Sequence, residues 1–238
     1  LRVSWKRSPE ALAPNLAALQ QGITMAQAID GERPVPLAPV APPAGPARWL
    51  LSGNEAAGCG ALRGGVRFVA AYPITPATEL LEWMAPALTR LGGSLLQAED
   101  ELASVNMIIG ASYGGVPSLT ATAGPGLALM TEGIGLAVAA EVPIVVVDVM
   151  RGGPSTGIPA KSEQSDLSFA VDGLHGDAPR LVLAPNGIAD CLATTEWAVQ
   201  LAEALQCPAL LLSDQFMGQS RTVIDPPTQA PVPAQRLV

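Results

Sequence analysis

The runs "PIVVVDV" at 143–149 and "ALLLS" at 209–213 are apolar at nearly every position, odd and even alike. Successive side chains of a strand point to opposite faces, so such strands are buried on both sides. Both faces of a sheet are covered when parallel strands are joined by helices in right-handed crossovers. The chain has that rhythm from Arg48 onward. A helix through "NEAAGCGALRGG" precedes strand 67–71, helix 76–90, strand 94–97, helix 100–113, strand 117–121, helix 126–140 and strand 143–149. An irregular loop rich in Gly, Pro and Ser spans 151–165, followed by a short helix, strand 180–184, helix 187–204 and strand 208–213. The expected fold is an α/β domain with a mostly parallel sheet and helices on both faces.

The flanks differ in character. Residues 8–29 begin Ser-Pro-Glu and read as one or two short helices broken near Pro14 and Gly22. Six prolines among the 18 residues "GERPVPLAPVAPPAGPAR" mark a stiff, extended linker. The expected organisation is a helical tail at 1–30, a linker at 31–48, the α/β domain at 49–221 and a Pro-rich tail or linker at 222–238. The chain begins at Leu1 and is expected to be a piece of something longer.

Only 14% of the 238 residues are charged and 49% are apolar, which fits an exterior covered by partners, although abundant Ala and Gly lower the charged share too. The net charge is −8 with no basic run, so nucleic acid and anionic membranes are poor partners. Cys59, Cys191 and Cys207 lie far apart, which argues against an iron–sulfur or zinc site and against a disulfide framework. A reducing cytoplasm fits that usage. The longest apolar stretch, "GIGLAVAAEVPIVVVDVM", holds Glu141, Pro143 and Asp148 and divides into a helix and a strand, not a membrane span. No signal peptide is visible.

Chemistry is expected where open parallel sheets gather ligands, beyond the C-terminal ends of strands. Four segments stand there. In "FVAAYPITPATELLEWM", Thr75 lies between Pro73 and Pro76 and has little backbone freedom; it stands where a helix N-cap would be, with Pro76 in the first turn. In "EDELASVNMII", steps of four, seven and eight from Glu101 reach Val105, Ile108 and Ile109, so Glu101 shares the apolar face of its helix, while Glu99 or Asp100 serves as the cap. A carboxylate among aliphatic side chains is how enzymes prepare an acid that exchanges a proton near neutrality. The Gly124-Pro125-Gly126 turn of "TATAGPGLALM" lets a ligand approach the backbone. It has the spacing of neither a dinucleotide fingerprint nor a P-loop. Arg151 opens "RGGPSTGIPAKSEQSDL", where a guanidinium can hold a carboxylate and Ser155, Thr156 and Lys161 add donors. Plainer roles stand beside these: a cap for Thr75, a complement to the helix N-terminus for Glu101, a surface ion pair for Arg151. His175, the one histidine, reads as a hydrogen-bonded loop residue.

In order, "YPITPATEL", "QAEDELASVNMIIGASYGG", "TATAGPGLALMTEGIGLA", "EVPIVVVDVMRGGPSTGIPAKSEQSDL" and "LHGDAP" closely resemble the α subunit of 2-oxoacid:ferredoxin oxidoreductases, particularly the 2-oxoglutarate type. "SWKRSPEALAPNLAALQQGITMA" is similar to the end of the γ part that some members fuse ahead of α. The resemblance implies a domain that binds the pyrimidine of thiamine diphosphate. It implies that Glu101 hydrogen-bonds the aminopyrimidine ring nitrogen, and that sharing this proton favours the imino form, which removes the thiazolium C2 proton. Thr75 is then placed against cofactor and substrate carboxyl, with Pro73, Ile74, Gly124 and Gly126 against the cofactor. Arg151 is placed on the substrate carboxylate or on CoA. The reaction implied is CoA-dependent oxidative decarboxylation of a 2-oxoacid, with 2-oxoglutarate the expected one, or its reductive reverse, with ferredoxin as electron partner.

The Gly-Asp-Gly and Asn-Asn signature that holds diphosphate and Mg²⁺ in this cofactor class is missing here, as are cluster cysteines. The resemblance therefore implies a partner β subunit carrying the diphosphate, Mg²⁺ and iron–sulfur cluster, an (αβ)2 heteromer, and activity only with that partner. Two departures stand out: Ala123 where the family commonly has Ser, and Asn106 where it has a small residue. Two other readings remain at this level: a subunit of another thiamine-dependent decarboxylase or transferase, and a non-catalytic scaffold.

Overall fold

The computed structural model describes residues 9–29 and 45–236, and the chain divides into two units, Leu1–Pro46 and Ala47–Val238. In the first, one helix, α1 (Pro9–Gln27), runs unbroken through Pro14 and Gly22. The breaks expected there do not occur: Pro14 removes a single hydrogen bond from a stretch otherwise rich in Ala, Leu and Gln, which favour helix. Residues 31–44 of the expected linker lie outside the described residues.

In the second unit β1 (Trp49–Ser52) enters α2 (Gly53–Gly64) through a capping box. The Glu55 amide donates to Ser52 Oγ at 3.1 Å and the Ser52 amide to Glu55 Oε2 at 2.9 Å. Then β2 (Phe68–Ala71), α3 (Thr78–Arg90), β3 (Ser94–Gln97), α4 (Glu101–Tyr113), β4 (Ser118–Thr122), α5 (Gly124–Ala139) and β5 (Val145–Met150) alternate. Beyond a loop follow α6 (Leu167–Asp172), β6 (Leu181–Leu183), α7 (Ile188–Leu205), β7 (Ala209–Asp214), α8 (Gln215–Gln219) and β8 (Arg221–Ile224).

Six strands form one sheet in the order β3-β2-β4-β5-β7-β6, and every neighbouring pair is parallel. The apolar runs divide between its faces. Val145, Val147 and Val149 join a core with Ala57, Leu80 and Val199 of α2, α3 and α7, whereas Val146 and Met150 join one with Ile108, Met130 and Ala170 of α4, α5 and α6.

Strands β1 and β8 form a separate antiparallel ribbon, with Trp49 opposite Ile224 and Ser52 opposite Arg221, so it spans the position between 221 and 222. The chain beyond is fastened to the domain. The Ala234 amide donates to the Gly64 carbonyl at 2.9 Å, and Arg236 pairs with buried Glu203 at 2.8 Å while donating to the Ser112 carbonyl. No described helix is long and apolar enough to cross a membrane.

Candidate active site

The chain steps from β2 to β3 on one side and returns to β4 on the other, so the sheet changes direction between β2 and β4. Ligands of open α/β sheets bind in the crevice above such a point. The loop after β2, the start of α4 and the start of α5 all lie at this end of the strands, beside the loop after β5.

At the start of α4, Asp100 is the N-cap, its Oδ1 accepting from the Ala103 amide at 2.7 Å. That fixes the next side chain, Glu101, toward the interior, 8% exposed, on the face that carries buried Val105 and Ile108. Among the described residues nothing donates a hydrogen bond to its carboxylate. The opposing surface is Gly126: a Cβ there would lie 2.9 Å from Glu101 Oε1 and 2.1 Å from Thr122 Oγ1. Only glycine leaves the carboxylate its position.

Thr75 is not the N-cap of α3. The Ala77 and Thr78 amides both donate to the Ile74 carbonyl, at 2.8 and 3.1 Å, closing a turn that moves the helix start to Thr78 with Ala77 as N-cap. The Thr75 side chain is left exposed, capping nothing. Half-buried Pro73 leads into this turn, and Ile74 packs against the core. Buried Asn54 of α2 holds the turn, its Nδ2 donating to the Pro76 carbonyl at 2.9 Å.

Arg151 is 8% exposed and has no carboxylate partner among the described residues, so it is not a surface ion pair. Its Nη1 donates to the Thr75 carbonyl at 2.5 Å and its Nη2 to the Thr156 carbonyl, while Nε has no acceptor. A buried guanidinium balanced only by carbonyls is suited to an arriving anion. It lines a cavity of about 660 Å³ with Gly124, Pro125, Ser155, Thr156 and Asp166. The loop around it is closed on itself and on the sheet. The Gly152 amide donates to the Lys161 carbonyl at 2.7 Å, and buried Asp214 accepts from Ser162 Oγ at 3.1 Å and Gln164 Nε2 at 2.6 Å.

The structure thus joins Thr75 to Arg151, Arg151 to Gly124, and Glu101 to Gly126. Lys161 does not line the cavity, and His175 is exposed and apart from it. A second cavity, about 700 Å³ between β6 and α7, is remote from the direction change. Sequence reasoning missed Asn54, Asp148, Asp166 and Asp214; of these, Asp148 alone had a visible signal, a carboxylate inside an apolar strand.

Residues 59–236 match the family described as pyruvate flavodoxin/ferredoxin oxidoreductase, thiamine diphosphate-binding. The chain belongs to this family. A 2-oxoglutarate synthase subunit KorA from Methanothermobacter marburgensis is 44% identical over 184 residues, covering 77% of this chain and 49% of the relative. A 2-oxoglutarate oxidoreductase subunit KorA from Mycobacterium tuberculosis is 38% identical over 220 residues, covering 90% of this chain and 33% of the relative. Among solved structures, the 2-oxoglutarate:ferredoxin oxidoreductase of Magnetococcus marinus, with 2-oxoglutarate, coenzyme A and succinyl-CoA bound, superposes with a TM-score of 0.81 at 44% identity. That superposition covers 99% of this chain and 41% of the other. The chain spans half or less of the length of these relatives.

The region matched by this thiamine diphosphate-binding family contains Thr75, Glu101, Gly126 and Arg151. The group in its description fits the residues present on two observations: a buried carboxylate with unused acceptor positions, and its place above the point where the sheet changes direction. No three His, Cys, Asp or Glu residues among those described come together as a metal site.

Proposed function

We propose that this chain is the pyrimidine-binding part of a 2-oxoacid:ferredoxin oxidoreductase acting on 2-oxoglutarate with CoA, in the oxidative direction or its reverse. The observation that carries this reading is Glu101, buried and without a donor above the Gly126 turn. Thiamine diphosphate, once bound, supplies the carbon nucleophile and electron sink for breaking the bond between a 2-oxo carbon and its carboxylate. In that setting Glu101 holds and exchanges a proton at the pyrimidine ring nitrogen. Gly124 and Gly126 stand at the cofactor, their missing side chains making room for Asp166 and Glu101, and Pro73 and Ile74 shape the wall from which Thr75 presents its hydroxyl. Arg151 receives an anionic group of oxoacid or CoA.

The diphosphate, Mg²⁺ and iron–sulfur cluster are assigned to a β subunit, in an (αβ)2 heteromer that passes electrons to ferredoxin. Support for a cover comes from the outer face of α4, where Leu102, Met107 and Tyr113, the last 78% exposed, stand on the helix that begins with Glu101. By calorimetry, the chain alone is expected to bind thiamine diphosphate poorly and its complex to bind it with Mg²⁺. Tight, Mg²⁺-dependent binding by the chain alone would end the divided-site reading. Ferredoxin reduction by the complex separates this function from that of another thiamine-dependent decarboxylase and from a scaffold.

Arg151→Lys keeps the charge and loses the planar fork. It is expected to raise KM for oxoacid or CoA by about tenfold, equivalent to ~1.4 kcal/mol. Unchanged KM values for both would remove Arg151 from the site.

A further inference from the structure

Asp148 lies in the middle of β5, in register with Thr122 of β4 and Leu212 of β7, on the face that packs against α5 and α6. It is fully buried, and neither of its carboxyl oxygens receives an N–H or O–H from any described residue. The carboxyl of Asp166 lies against it, and its Oδ2 is likewise buried without a donor. Two ionised carboxylates have nothing to put between them. One shared proton turns their repulsion into a strong hydrogen bond.

The position of Asp166 gives the contact its meaning. It is the N-cap residue of α6, yet its side chain makes no capping hydrogen bond. Its side chain is turned instead to the start of α5, where a Cβ on Gly124 would lie 2.6 Å from Oδ2. The end of the long loop is thereby fixed both to β5 and to the Gly124 turn, across the cavity that Arg151 lines.

We propose that Asp148 and Asp166 share one proton, and that this bond positions the Arg151 loop over the candidate active site.

No cation competes for the pair among the described residues. β4 presents the Thr122 hydroxyl, which donates to the Ala123 carbonyl, β7 presents Leu212, and α5 presents Gly124. Arg151 gives Nη1 and Nη2 to the Thr75 and Thr156 carbonyls and keeps Nε free, and Glu163 accepts from the Gly153 amide. Burial, then the neighbouring Asp166 carboxylate, pushes Asp148 well above the usual carboxyl range. Burial also raises Asp166, with Glu163 adding to it and the Asp148 hydrogen bond opposing it. The shared proton therefore rests chiefly on Asp148. Because the folded state holds it more tightly than the unfolded chain, its stabilisation is complete below the ordinary carboxyl range and is lost as pH rises through the pair's folded value. Raising pH through that value should release the loop.

The test needs no turnover. In the full chain labelled with ¹³C at the aspartate carboxyl, one signal is expected at the protonated position at neutral pH, assigned by its loss in Asp148→Asn or, should that variant not fold, by its displacement in Asp166→Asn. Trypsin cleavage after exposed Lys161 should accelerate with pH by up to about tenfold per unit once the pair ionises. Asp166→Asn, whose amide donates at any pH, should cleave with no such rise. All aspartate signals at the ionised position at neutral pH, or the same pH dependence in Asp166→Asn, would overturn the proposal. In the assembled complex the released loop should raise KM while kcat holds, an arm that rests on the function proposed above. A proton seen by NMR with KM unmoved would support the latch and remove Arg151 from substrate binding.

Discussion

Replacement of Glu101 by Gln is expected to lower kcat of the assembled complex by about 10²–10⁴-fold, the range for a positioned acid–base group. Gln is nearly isosteric and still hydrogen-bonds, but it cannot exchange a proton with a ring nitrogen. Cofactor affinity and melting temperature should change little, because the space above Gly126 stays filled. Glu99→Gln and Asp100→Asn are the matched controls: each removes one negative charge from the same helix start, and Asn remains a good N-cap where Asp100 now accepts from Ala103. Equal losses of kcat in all three variants would reduce Glu101 to a complement of the helix N-terminus.

Gly126→Ala is expected to cost both activity and stability. Its β-carbon would arrive 2.1 Å from Thr122 Oγ1 and 2.9 Å from Glu101 Oε1, closer than side chains pack, so the carboxylate must move. Displacing a reacting group by about an ångström costs roughly 10²-fold in rate. Overpacking of the buried turn adds ~1–3 kcal/mol of destabilisation. Gly110→Ala on α4 is the contrast, since nothing lies within 4 Å of its Cβ. In the chain alone that variant should gain ~0.5–1 kcal/mol. Denaturant midpoints for the two variants and kcat for Gly126→Ala check both statements, and a Gly126→Ala complex with normal kcat would show that the fit of Glu101 against the turn is not needed.

What was legible in the sequence followed from periodicity. Alternation within "PIVVVDV" demanded two cores, and β5 divides its valines between them. Counting from Glu101 to Val105 and Ile108 placed the acid inside, where it lies, and left the cap to Glu99 or Asp100, of which the structure uses Asp100. The plainer alternative for Thr75, a helix cap, fails because the competing acceptor, the Ile74 carbonyl, is a backbone group that no residue type announces. β1, α8 and β8 were missed, being only four or five residues long and, in the strands, largely exposed. The long loop read as irregular, and it is; what holds it is long-range. Asp214 lies 50 and 52 residues from Gln164 and Ser162, and neither partner signals the other in sequence.

The assignment of Glu101 to cofactor activation is tested most directly by exchange of the thiamine C2 proton into deuterated water, followed in the assembled complex without substrate. This isolates proton removal from decarboxylation and electron transfer. Exchange in the Glu101→Gln complex should be slower than in the Glu99→Gln and Asp100→Asn complexes by about 10²–10⁴-fold, at equal cofactor occupancy. Exchange as fast as in those two controls would mean that Glu101 does not activate the cofactor, and that the buried carboxylate above Gly126 has another role.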